Sequence, residues 1–327
     1  MDMIALAWRR IDTWFETFAP ADAKAFLPGA VPSEIEAAET RLGLTLPEDV
    51  KASYRIHNGA SSEGLLMGRE RFCTLEQMVG WWEMMRDVSR QDPAWAQRPP
   101  IWVRESINPS QPVQPTSWHL AWLPFTSNIA RDHWCFDLAP LSGGHIGQIL
   151  EWDHDMGPFH VLFTSFEELL STYADQLEAG LYVQHGPPLN QLRELTHLKE
   201  RHVAFQQSTP AKPLLQQAIS LAWNFRFEDD ASITSYDMIF EGDPSAYGKA
   251  FDACTTIYQK VLQMHEATLD DRFFAYYGLI SLYMQQKGML DNPDLSLFEE
   301  WEAEASNMPP AHWVHEEVAF WKEWLIE

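Results

Sequence analysis

Five consecutive residues, Glu151-Trp152-Asp153-His154-Asp155, form the chain's densest set of chemistry-bearing side chains. On a β-strand, alternate side chains share a face, so 151, 153 and 155 would project together. Converging carboxylates suit a general acid, or a metal ion that needs donors at about 2 Å. The plainer reading is a polar strand end running into a turn. Asp132 is a further carboxylate of the strand-like region. His119, His133, His145 and His160 are spread over four strand-like runs, with neither H-x-x-x-H nor H-E-x-x-H spacing, and read as ordinary strand histidines. Gly143-Gly144-His145-Ile146-Gly147 has the glycines of a phosphate loop but no following helix and no Lys, so it reads as a hairpin turn. There is no G-x-S-x-G elbow. Cys135, inside an apolar run, reads as a small buried thiol. The expectation is a protein with no catalytic residue, no metal and no cofactor.

Tryptophan and charge are the other candidate handles. Trp81, Trp82 and Trp118 are of the type enriched at interface hot spots, with core packing as the alternative. Adjacent helical residues such as Trp81 and Trp82 point about 100° apart and need not share one core. The chain has 23 Lys and Arg against 47 Asp and Glu, a net charge of -24 over 327 residues. That argues against nucleic acid and anionic membranes as partners, since both reward positive surface, and it favours a basic protein. Residues 1–185 carry 13 basic and 25 acidic side chains, and residues 186–327 carry 10 and 22, so neither part alone is the acidic one. The uncharged apolar run from Phe273 to Met284 is shorter than the ~20 residues of a membrane span. Three dispersed cysteines without a C-x-x-C pair, and no signal peptide, point to a reducing cytoplasm.

These residues must be positioned by two differently built regions. Ile4, Trp8, Ile11, Phe15 and Phe18 recur at helical spacing. Ser33 with Glu36 reads as a capping box, Pro47 as a first helical residue, Asn58-Gly59 as a helix stop, and Thr74 with Gln77 as a second capping box. Residues 92–117 are proline-rich and read as an irregular connection. Short β-like runs follow at 119–126, 132–137, 145–151 and 159–163, separated by turn residues such as Ser142-Gly143-Gly144 and Gly157-Pro158. They are close enough to join as an antiparallel meander. Ser165 with Glu168 caps a closing helix. This order is α+β. Gly186-Pro187-Pro188 marks a boundary, giving domains at 1–185 and 186–327. The second reads as helical at about 190–207, 212–224, 244–266, 270–287, 295–306 and 311–326, with 244–287 a helical hairpin. Residues 225–242 read as loop or strand.

The stretch RLGLTLPEDVKASYRIHNG (41–59) resembles the signature of the SUKH superfamily. Leu65–Gly68 with TLEQMVGWWEMM (74–85), WLPFTSN (122–128), DHWCFDL (132–138), GQILEWDHD (147–155) and SFEELLSTYADQLEAGLY (165–182) resemble further family segments in the same order. The resemblance covers about 1–185 and implies a sheet flanked by helices that binds partners and is not an enzyme. In bacteria such domains commonly neutralise toxins, often nucleases; in fungi, relatives are scaffolds in cell-wall synthesis. The leading expectation is an immunity-type protein that occludes the active site of a cognate, basic toxin. The alternative is a regulatory scaffold, and a hydrolase using the 151–155 carboxylates ranks third. Expected partner contacts are Asp132, Glu151, Asp153, Asp155, Trp81 and Trp118.

Overall fold

The computed structural model describes residues 2–62, 65–66, 71–100, 112–128, 131–179, 198–224, 244–287 and 296–326. It divides into two compact units: Met1–Phe15 with Pro20–Ala174, and Glu16–Ala19 with Asp175–Glu327. The predicted boundary at Gly186 and the stretch 225–242 lie outside the described residues.

The chain opens with helix α1 (Met3–Phe18), whose Ile4, Trp8, Ile11, Phe15 and Phe18 are buried as the spacing requires. After a single turn, α2 (Pro20–Ala23), strand β1 (Phe26–Pro28) precedes α3 (Pro32–Leu42) and α4 (Glu48–Tyr54). Helix α3 begins one residue before the expected Ser33 cap. Pro32 takes the first helical position, and the Glu34 carboxylate accepts the Val31 N–H at 2.8 Å. Asn58-Gly59 is not a helix stop: residues His57–Ala60 form strand β2, antiparallel to β1. Gly59 has φ 81°, and a Cβ there would lie 2.5 Å from the Thr74 backbone nitrogen, so both conformation and space require glycine.

Strand β3 (Arg71–Phe72) leads into α5 (Leu75–Gln91), where Thr74 and Gln77 form the expected capping box. The proline-rich connection contains one helical turn, α6 (Pro93–Ala96), capped by Asp92. Then come β4 (Trp122–Pro124), β5 (Thr126–Ser127), β6 (His133–Asp137), β7 (Gln148–Asp153), β8 (Gly157–Phe163) and α7 (Phe166–Glu178). The meander is present: β4, β6, β7 and β8 pair in that order, all antiparallel, while β5 pairs with β3. Gly157-Pro158 starts β8 and is not a turn; the turn is 154–156.

One core lies between this sheet, α5 and the segment before β4. It contains Met85, Val113, Trp118, Trp122, Cys135, Leu150 and Trp152. Trp118 is edge-on to both Trp122 (5.8 Å) and Trp152 (5.3 Å). Rings this large remove much apolar area from water, and edge-to-face packing adds to that gain. Cys73, Cys135 and Cys254 are all buried free thiols.

The second unit is helical among its described residues. It contains α8 (Leu198–Gln206), α9 (Lys212–Asn224), α10 (Pro244–Gln263), α11 (Leu269–Lys287), α12 (Ser296–Ala305) and α13 (Val314–Ile326). Helices α10 and α11 pack as the expected hairpin. No helix among the described residues is long and apolar enough to cross a membrane.

Candidate functional site

The sequence-selected residues meet in part, at the end of the sheet where β7 turns into β8. Strand β7 stops at Asp153, so Asp155 lies in the turn and the expected three-carboxylate strand face does not form. Asp153 holds this turn closed: its Oδ1 accepts the N–H groups of Asp155 and Met156, each at 2.8 Å. Asp132, just before β6, ties the turn to the neighbouring strand. Its Oδ1 accepts from the His154 backbone N–H at 3.2 Å and from His154 Nδ1 at 2.9 Å, and Asn128 grips its other oxygen. The hydrogen bond to Asp132 pushes the His154 pKa above its ordinary value, with burial a smaller opposing effect.

Asp132, Asp153 and His154 thus bring three metal-capable donor atoms within 4.8 Å of one another, a grouping that the sequence reading, expecting no metal, did not foresee. These atoms already satisfy the turn, and an ion would have to break the Asp132–His154 bond. Asp155 is different. Its side chain is 83% exposed and lies 3.4 Å from His154 Nε2. Glu151 sits further back on β7, half-buried, in register with Trp134 and His160.

Beside the turn is a cleft of about 290 Å³, counting its open mouth, lined by Trp95, Arg98, Pro100, Ser117, Trp152, His154, Asp155 and Gly157 among others. Only about 20 Å³ of it is enclosed, little more than one water molecule needs, so it is a shallow surface notch and not a small-molecule pocket. Its walls are pinned from behind. Trp152 Nε1 donates to the Ser117 carbonyl at 2.7 Å, Ser117 Oγ donates to the Arg98 carbonyl at 3.0 Å, and the Trp118 N–H donates to the Ala96 carbonyl at 3.3 Å. Gly157, at φ 84°, leaves room for Pro100: a Cβ there would be 3.3 Å from the proline ring.

The two tryptophans named as expected contacts differ in exposure. Trp118 is 2% exposed and forms the core behind the cleft, so it offers a partner no surface. Trp81 is half-buried and its ring lies tilted against His133 at 4.8 Å; His133 in turn stacks on Trp152 at 5.8 Å. Trp81 therefore supports the cleft wall from two rings away. His133 is buried and donates from Nδ1 to the Thr126 carbonyl at 2.7 Å; burial lowers its pKa, so it is a neutral packing element. Since a carbonyl only accepts, Nδ1 must carry the hydrogen. Sequence reasoning missed Trp95 and Arg98. Their only signal was an aromatic and a base inside the proline-rich stretch facing the turn.

The fold and this cleft can be set beside known proteins. Residues 29–172 match the SMI1 / KNR4 family (SUKH-1). Similar proteins include the glucan synthesis regulatory protein of Neurospora crassa, 28% identical over 206 residues, covering 54% of this chain and 39% of the relative. The cell wall assembly regulator SMI1 of Saccharomyces cerevisiae is 29% identical over 206 residues, covering 54% and 40%. The F-box only protein 3 of Mus musculus is 38% identical over 56 residues, covering 17% and 12%. The matches thus span about two fifths of each fungal relative. Those relatives carry names of regulators, which favours the scaffold alternative over toxin neutralisation. The resemblance read from the signature segments is thus matched by the SMI1 / KNR4 family (SUKH-1) over residues 29–172, a little under half of the chain.

Proposed function

We propose that this chain is a regulatory binding protein, of the kind the fungal relatives' names describe, and not an enzyme. Its partner engages the cleft at the β7–β8 turn. The observation that carries this reading is the contrast within the turn. Asp132 and Asp153 spend their carboxylates on holding the backbone, while Asp155 and Arg98 are exposed and Trp95 is half-exposed beside them. They sit on a turn and a one-turn helix whose neighbours are held by hydrogen bonds, and locked neighbours are what a specific binding site requires. The acidic chain as a whole steers a basic protein toward it. The relatives' names give toxin neutralisation no support, and the cleft serves either kind of protein partner.

The test is capture of partners from a lysate of the source cell, using the full chain and a Trp95→Ala/Asp155→Arg double variant whose thermal unfolding matches the parent. Loss of specific partners by the double variant supports the reading. An unchanged set of partners would move the interface elsewhere.

A further inference from the structure

The helical unit contains a charged side chain in a setting that resembles a ligand in a receptor. Arg201, on α8, is 1% exposed. Its guanidinium lies over three aromatic rings at once: Tyr277 at 4.5 Å, Trp313 at 4.7 Å and Phe274 at 5.2 Å. Nη1 is 3.1 Å from Glu317 Oε1, and Nε donates to the Ala179 carbonyl at 2.9 Å. The Glu317 contact is an ion pair without hydrogen-bond geometry, so neither Nη1 nor Nη2 has a hydrogen-bond acceptor among the described residues. Aromatic faces attract a cation strongly once water is excluded, and Arg is the cation best suited to stacking.

The walls do not depend on α8. Phe274 and Tyr277 are three residues apart on α11, and Trp313 and Glu317 are four apart at the start of α13, so each pair shares a face. Trp313 stacks on Phe274 at 5.1 Å and 23°, and its Nε1 donates to Asp270 Oδ1 at 3.0 Å. Tyr277 is braced edge-on by Trp321. Helix α11 and the α13 region therefore build a cage with three aromatic sides and one acid, and α8 contributes only the occupant at its centre. If the aim were stability alone, an apolar residue of similar volume would serve as well as a buried ion pair.

We infer that this cage is a guanidinium-recognition site, filled by the chain's own Arg201. An arginine offered by another protein meets an occupied site and gains access only by displacing α8.

The experiment uses the full chain with R201A, and ethylguanidinium as the probe at concentrations far below denaturing ones, against matched sodium chloride. A ligand that binds only the folded state raises the unfolding temperature saturably. R201A should lose stability in the helical unit and regain it saturably with ethylguanidinium but not with salt. The parent and R201M, whose cages are full, should not respond. R201A combined with E317Q should respond more weakly than R201A alone. If R201A does not fold unaided, it is refolded with and without the probe: recovery only with the probe supports the site, and equal failure in both overturns it. A response of R201A no different from that of the parent also overturns it.

Discussion

The carboxylate of Asp49 caps a helix that starts 117 residues later: its Oδ2 accepts the N–H of Phe166 at 3.1 Å and of Glu167 at 3.4 Å. Those are orphan donors of the first turn of α7. The most recognisable segment of the chain is thus a set of staples. Asn58 Oδ1 accepts the Leu75 N–H that opens α5 at 2.9 Å, and the Tyr54 hydroxyl donates to the Cys73 carbonyl at 3.0 Å. Trp8 Nε1 reaches Ser53 Oγ at 2.8 Å. The signature's polar side chains thus tie α4, β2, α5 and α7 together.

Asp49→Ala should therefore destabilise the first unit by about 1–2 kcal/mol, the usual cost of a lost N-terminal cap. Asp49→Asn, which keeps an acceptor, should recover most of it. Urea unfolding of both variants, followed by tryptophan fluorescence, checks this. Equal losses would mean that the charge, and not the hydrogen bonds, is what α7 needs.

The acids of the β7–β8 turn should separate by role. Asp153→Ala removes an acceptor from two backbone N–H groups and should cost roughly 1 kcal/mol. Asp155→Ala, at an exposed side chain, should change stability by less than about 0.5 kcal/mol. Thermal unfolding of the two single variants measures the difference.

Gly278→Ala should disrupt the α10–α11 hairpin. A Cβ at 278 would lie 2.2 Å from Cζ of the buried Tyr258 ring, so the helices must separate or the ring must leave. Overpacking of this kind costs about 1–3 kcal/mol. Adding Tyr258→Leu should return part of the loss, and calorimetry of the single and double variants reads the coupling.

His133 gives the domain an acid-sensitive core. Burial lowers its folded-state pKa, so above the ordinary histidine value of ~6.5 both states are neutral and its packing is fully available. As pH falls below that value the unfolded chain takes up a proton that the folded chain resists, and stability declines until the folded value is reached. The stability advantage of the parent over His133→Gln should shrink across that window. His154→Gln should act in the opposite sense, because hydrogen bonding to Asp132 raises its folded pKa and favours the charged form. Denaturant unfolding at a series of pH values compares all three proteins.

Much of this architecture was legible in the sequence because local signals and tertiary demands agreed. The Thr74–Gln77 box, the spacing of Ile4 to Phe18 and the Ser142-Gly143 turn between β6 and β7 each mark one feature correctly. The β1–β2 pair was missed because Phe26–Pro28 and His57–Ala60 are too short to alternate, and Asn58-Gly59 has the chemistry of a helix stop. The site was less legible. That Asp132 meets His154 depends on the β6–β7 register and on a turn that closes at Asp153, neither of which residue spacing reveals. Trp118 could not be told from a surface anchor, since residue type carries no burial. Arg201 gave no signal, because its partners come from helices far along the chain.

The measurement closest to the central claim is a hydrogen-exchange footprint of the full chain with and without a captured partner. The account predicts protection concentrated at residues 95–100 and 152–157, with the α3–α4 signature unchanged. Protection confined to 41–59, or to the helical unit, would contradict it.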